Sequence, residues 1–347
     1  MRVLFLLIVV YTLFPSIAEA QDKHFTQFYA SPLTLNPALT GSSAGKYRAG
    51  IIYRSQWKGV LDNPFKTYAG SIDLKFRVFP NNPNKDYVGA GILFYSDKVA
   101  GIDFSNTQMA LSGAFHKSLD PRDRQYISMG IQLGLTQRNV NISRLTFQDQ
   151  YNGIDGYTEI SAEELPENNF GYPDLSLGIN YTSAIGKNSR YFVGGALHHA
   201  LSPKITFYRT GDVIGQARLY RKYSGQFSAD LYLGNDISIL PRFLFALQGP
   251  HMEINAGSNI KFRMNNYSPV SFHLGAWARP VRDEKSNIFL DAVVLMVGVE
   301  VNSLVLGLSY DANISDLTTY RQGQNAFEFS MNFIGEYEND EVMCPKF

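Results

Sequence analysis

The sequence has one cysteine in 347 residues, two tryptophans, and no excess charge of either sign, with 31 Lys+Arg against 31 Asp+Glu. A lone cysteine, Cys344, cannot pair within the chain, so a disulfide framework is excluded. The neutral balance offers no electrostatic footprint for nucleic acid, and no such partner is expected. The charged fraction is 18%, below the roughly 25% of soluble domains. An apolar content of 45% argues against a disordered chain. Beyond residue 20 there is no long apolar run, which argues against membrane-crossing helices.

The exception is the start. Residues 1–20, MRVLFLLIVVYTLFPSIAEA, place Arg2 before an apolar stretch, Val3 to Phe14, and end in Ala18-Glu19-Ala20. That pattern predicts a secretory signal peptide cleaved after Ala20, and hence an exported chain. Elsewhere the apolar residues alternate. In 67–76, Tyr68, Gly70, Ile72, Leu74 and Phe76 share one parity, and Thr67, Ala69, Ser71, Asp73 and Lys75 the other. Period two of this kind is a strand with one apolar and one polar face. It recurs in about fourteen segments of roughly 9–13 residues, the length that crosses a membrane as a strand. Many end in a ring, such as Tyr53, Trp57, Phe76, Phe94, Phe115, Tyr181, Tyr310 and Tyr337, as interfacial girdles do. The opposite face is small and polar, suiting a crowded lumen.

The expectation is therefore all-β: an antiparallel transmembrane β-barrel of about 14 strands, of outer-membrane type, in contact with outer-membrane lipid. The domain plan is a signal peptide over 1–20, an irregular segment over 21–45, a barrel over 46–337 and a periplasmic tail over 338–347. An even strand count places both barrel ends of the chain on the periplasmic side, with short turns there and longer loops, 139–171, 201–216 and 312–324, outside. Segment 21–45 holds Pro32, Pro37 and Gly41 and does not alternate. It is expected to start on the periplasmic side and fold into the lower lumen or along its rim, with Gln27 and Asn36 bonding backbone; the alternative is a loose tail.

Lumen-facing charges by parity include Arg48, Arg54, Asp73, Lys75, Glu253, Lys261, Arg263, Arg279, Asp291, Asp311 and Glu328. Mixed signs favour an interior ion-pair network over a selective filter. The loop 139–171 is acidic and aromatic, with Tyr151, Asp155, Tyr157, Glu163 and Glu164, and either contacts an exported partner or shields the barrel mouth. The histidines show no nucleophile–base or metal spacing, so neither catalysis nor a cofactor or metal is expected. Adjacent His198 and His199 are expected to point to opposite faces of a strand.

Four stretches carry more than barrel grammar: HFTQFYASPLTLNPALTG at 24–41 with YRSQW at 53–57, YFVGGALHHALSP at 191–203, LGLSYDANISDL at 306–317, and FEFSMNF at 327–333 with a terminal CPKF. Together they resemble the PorP/SprF family of type IX secretion outer-membrane proteins of Bacteroidetes. The resemblance implies a fourteen-stranded barrel without enzymatic activity. It would serve the secretion or gliding machinery, or one large secreted protein, often an adhesin, with a C-terminal sorting domain. Periplasmic ring or lipoprotein subunits are further implied partners. The motif residues Gln27, Phe28, Tyr29, Asn36, Pro37, Gly41, Tyr53, Arg54, Gln56 and Trp57 form the candidate partner or plug site. A channel for small or hydrophobic solutes is the alternative function.

Overall fold

A computed structural model describes residues 24–337 apart from stretches between strands: 59–63, 79–84, 100–102, 142–144, 155, 163–166, 187, 208–217, 265–269, 283–286 and 315–324. The proposed signal peptide, the tail and Cys344 lie outside the described residues.

The described strands are β1 (Gly45–Gln56), β2 (Phe65–Arg77), β3 (Tyr87–Val99), β4 (Phe104–Ser118), β5 (Gln125–Asn139), β6 (Asn169–Ile185), β7 (Ser189–His198), β8 (Lys222–Gly234), β9 (Ile237–Gln248), β10 (His251–Arg263), β11 (Val270–Arg282), β12 (Ile288–Val301), β13 (Leu304–Asn313) and β14 (Ala326–Tyr337). Each pairs antiparallel with its sequence neighbours, and β14 closes on β1 in a register running from Gly45↔Tyr337 to Gln56↔Ala326. No described helix is long and apolar enough to cross a membrane; the strands do so, and closure leaves no open edge.

The alternation read from the sequence sets the two faces. Ile72, Leu74, Met129, Leu133, Leu135 and Leu295 stand outward and exposed, while Ser71, Asp73, Lys75, Ser128, Gln132 and Thr136 are buried inside. Such a surface is stable only against lipid. The turns 235–236 and 302–303, at the end where β1 begins and β14 finishes, are short; the connections 140–168 and 199–221 at the other end are long. These are called the terminal end and the loop end.

One strand breaks the alternation where it matters. Between β11 and β12 the register shifts, so that Arg279 opposes Ala292 and Pro280 opposes Leu290. Asp291 is left over as a bulge residue. The bulge re-aims its side chain, which meets Arg279 Nε at 2.9 Å.

Candidate functional site

The lumen is occupied by the chain itself. Residues 24–43 form three short turns of helix, Phe28–Ala30, Pro32–Leu35 and Pro37–Leu39, nearly all of it buried. Prolines at Pro32 and Pro37 begin the second and third turns, where a missing N–H costs nothing. The turns touch one another along the segment, and they pack against β1, β4, β5, β6 and β14 of the wall.

At the loop end, Glu328 accepts backbone N–H bonds from Thr26 (2.8 Å) and Gln27 (2.9 Å). It is also paired with Arg54. Asp311 Oδ2 accepts from the Thr26 hydroxyl (2.8 Å), Arg54 (2.9 Å) and Arg279 (2.7 Å). Gln27 donates to the Ser309 hydroxyl (3.0 Å) and accepts from Ser330 (2.7 Å). Arg54, Arg279, Asp311 and Glu328 are all buried, so each charge is held by partners in place of water. Gln56 adds a long contact, accepting from Arg54 Nε at 3.4 Å.

Midway, Asn36 donates to the carbonyls of Ile179 (3.0 Å) and Gly195 (3.2 Å) while its Oδ1 caps Ala38 N–H at 2.9 Å. A Cβ at position 178 would overlap that Oδ1, so the wall is glycine where Asn36 lands. Tyr29 stacks on Trp277 (5.8 Å between centroids), Phe28 meets the same indole edge-on (5.7 Å), and the Arg242 guanidinium lies 3.7 Å over the Tyr29 ring. Phe25, Leu35 and Leu39 share a buried cluster with Ile52, Tyr95, Phe192 and Leu244 of the wall.

At the terminal end, Arg48 grips Asp73 with two bonds (2.9 and 2.8 Å) and donates to Leu39 O at 3.0 Å. Asp73 also accepts the Gly41 N–H at 2.6 Å. His116 Nε2 faces the Thr40 carbonyl at 2.8 Å and Nδ1 faces the Ser128 hydroxyl at 2.7 Å. A carbonyl only accepts, so the proton sits on Nε2. Gly41, at φ +74°, turns the chain against Gly89, and a side chain at either position would collide with the other's backbone. Four residues later β1 begins.

Several expectations are corrected. The sequence expectation for segment 21–45 is the lower lumen or its rim, entered from the terminal end. Instead its described residues, from 24 on, run the length of the barrel: Thr26 and Gln27 sit among loop-end residues and Gly41 at the terminal end. Its anchors, Glu328 at one end and Asp73 at the other, fix that span. The lumen charges do not form one network. Arg54, Arg279, Asp291, Asp311 and Glu328 cluster at the loop end, Arg48 pairs with Asp73, and Lys261 pairs with Glu300 beside His273. Lys75 lies 4.7 Å from the Tyr87 ring centroid, and Glu253 is 3.6 Å from His24. Arg263 is exposed, because β10 ends there. Tyr53 points outward, its ring 5.0 Å from Tyr68, since it has the opposite parity from Arg54. Trp57 follows β1 at φ +64°, its ring against Phe65. His198 and His199 are both buried: β7 ends at His198, and His199, at φ +55°, turns inward to Asp174 (2.8 Å). Tyr151 and Tyr157 meet in the outer loop, while Asp155, Glu163 and Glu164 lie outside the described residues. Ser309, His116, Trp277 and Glu300 carry no sequence signal beyond inward parity, and Thr26 none beyond its place in the 24–41 stretch.

A family model for the type IX secretion system membrane protein PorP/SprF matches residues 17–333. The chain belongs to this family. It is thus a membrane component of a secretion system, built as an outer-membrane barrel. Among curated proteins nothing matches. Among solved structures it is similar to BamA from Haemophilus ducreyi lacking POTRA domains 1–3, with 11% identity over 84% of this chain and 70% of that one and a TM-score of 0.43. It is also similar to the CymD monoaromatic hydrocarbon channel (10%, 88% and 93%, 0.48) and a deltaS2 mutant of the TodX monoaromatic hydrocarbon channel (11%, 87% and 92%, 0.49).

Proposed function

We propose that this PorP/SprF protein is a closed platform in the outer membrane, not a conduit. It supports export, surface attachment, or both, of a large secreted protein with a C-terminal sorting domain, and it meets periplasmic ring or lipoprotein subunits at its terminal end. It does no chemistry of its own. The observation that carries this reading is the buried segment 24–43, clamped by Glu328, Asp311, Arg54 and Arg279 at one end and by Asp73, Arg48 and His116 at the other. Buried ion pairs that fix a segment across the bore obstruct free passage, and the rigidity they bring suits a docking platform.

The experiment is purification of the tagged barrel from outer membranes, with the co-purifying proteins identified and the same preparation placed in planar bilayers. The reading expects a large secreted protein or periplasmic subunits in stoichiometric amount, and no steady conductance. Steady solute or ion flux with no protein partner would replace it with the channel reading.

A further inference from the structure

The longest loop-end connection, 140–168, contains a small hairpin that the barrel wall does not need. Asn152 N–H donates to Gly156 O (2.8 Å) and Glu159 N–H to Gln150 O (3.0 Å), and the Tyr151 and Tyr157 rings pair across it at 5.4 Å. Asn152 Oδ1 accepts from the N–H groups of Ile154 (3.0 Å) and Gly156 (3.1 Å), the bonding of an Asx turn. Asp149 clasps the base, accepting from Ala162 N–H at 2.7 Å and the Ser161 hydroxyl at 2.8 Å. The loop is tied to its neighbour 199–221 by Glu167 N–H to Phe207 O at 3.2 Å, with Phe207 packed edge-on to Phe170.

What this ordered turn displays is apolar. Ile160 is 95% exposed and Ile154 83%, flanked by Tyr157 at 55% and Tyr151 at 47%. Folding gains nothing from presenting two isoleucines to water, and apolar side chains on a self-bonded surface loop mark a contact site. The loop's own charges, read from the sequence, say what kind. Residues 145–168 carry Asp149, Asp155, Glu159, Glu163, Glu164 and Glu167 and no Lys or Arg. An anionic lipid surface repels such a segment, so the isoleucines are not lipid anchors. A protein face with an apolar pocket and a Lys/Arg rim complements both features.

We infer that the hairpin around Tyr151, Ile154, Tyr157 and Ile160 is a docking knob for a protein at the cell surface that offers a basic-rimmed apolar pocket. The inference rests on the platform reading, in that this protein is the secreted partner the barrel serves. The test places a photo-crosslinking residue at exposed Thr158 in the full-length barrel in intact cells. The expected result is a crosslink to the secreted protein that co-purifies with the barrel. It falls at least tenfold in the Ile154→Ser/Ile160→Ser variant and in Glu159→Lys, and it weakens with added salt. These positions are exposed, and antibody staining confirms barrel level and surface display. Crosslinks only to lipopolysaccharide, or undiminished crosslinking in the double serine variant while the secreted protein still co-purifies, overturn the knob and leave the platform standing. If periplasmic subunits but no secreted protein co-purify with the native barrel, the knob falls and the platform stands; if neither co-purifies, both fall.

Discussion

Glu328→Gln is the most direct test of the loop-end clamp. The native carboxylate receives two consecutive plug N–H groups and the Arg54 guanidinium inside the protein. The amide keeps the shape but has one acceptor and one donor where two acceptors are required. One plug N–H then faces another N–H, an unsatisfied buried donor worth about 1–3 kcal/mol. Arg54 keeps Asp311 at 2.9 Å, so its loss falls at the low end of the about 3–5 kcal/mol for stripping one partner from a buried pair. A combined loss of about 4 kcal/mol shifts plug docking by nearly three orders of magnitude, at 1.4 kcal/mol per decade. The reporter is built in, because Trp277 stacks on plug Tyr29 and the only other tryptophan is Trp57. In a Trp57→Phe background, urea titration in detergent followed by Trp277 fluorescence reads plug release, and heat-modifiable gel migration reads the barrel. The variant should release its plug well before the barrel opens. A Trp277 transition within about 0.5 kcal/mol of native, the scale of a neutral surface change, refutes the clamp as described.

Four further outcomes are expected. Thr40→Cys/Ser112→Cys, in a Cys344→Ser background, replaces hydroxyls 2.6 Å apart and should form a disulfide that leaves export intact; lost export on oxidation alone would mean that the plug has to move. His116→Phe strands the Thr40 carbonyl and the Ser128 hydroxyl and should cost about 2 kcal/mol in the same titration. An epitope placed just before residue 24 should be labelled on intact cells, and one after Tyr337 only after permeabilisation; the reverse would place the chain upside down in the membrane. In the outer hairpin, the Ala162 N–H followed by the Ser161 hydroxyl holds the Asp149 carboxyl below its ordinary value. A depressed folded-state value means the clasp is present at neutral pH and lost as pH falls through that value. Asp149→Asn should therefore abolish any acid-induced change in the Ala162 amide signal; persistence of that change would assign it elsewhere.

The wall was legible because a strand's period of two leaves little room for error. Fourteen segments, their faces and most of their ends follow from alternation alone, and the lipid outside and glycine-lined lumen inside reinforce it. Parity also gave the inward direction of Arg54, Asp311 and Glu328. It could not say which of them meet, since strands far apart in sequence face each other only once the barrel has closed. The path of residues 24–43 was opaque for a related reason: a segment without periodicity takes its course from its surroundings. The Asp291 bulge and the left-handed His199 are single-residue departures with no pattern to betray them.

The loop-end clamp joins residues at the two extremes of the chain. Thr26 binds Glu328 across 302 positions, and Arg54 on β1 meets the same carboxylate from the neighbouring strand β14. The clamp therefore straddles the seam where the cylinder shuts. The residue that receives the N-terminal end of the plug is carried on the last strand of the barrel, so the clamp is complete only with β14 in place. Loop closure over such a distance is slow and entropically costly. In the closed barrel the segment offers two N–H groups, and β1 a guanidinium, to a single carboxylate of β14, that of Glu328. Plug and seam are thus one unit: the segment in the lumen ties the two closing strands together from inside the cylinder.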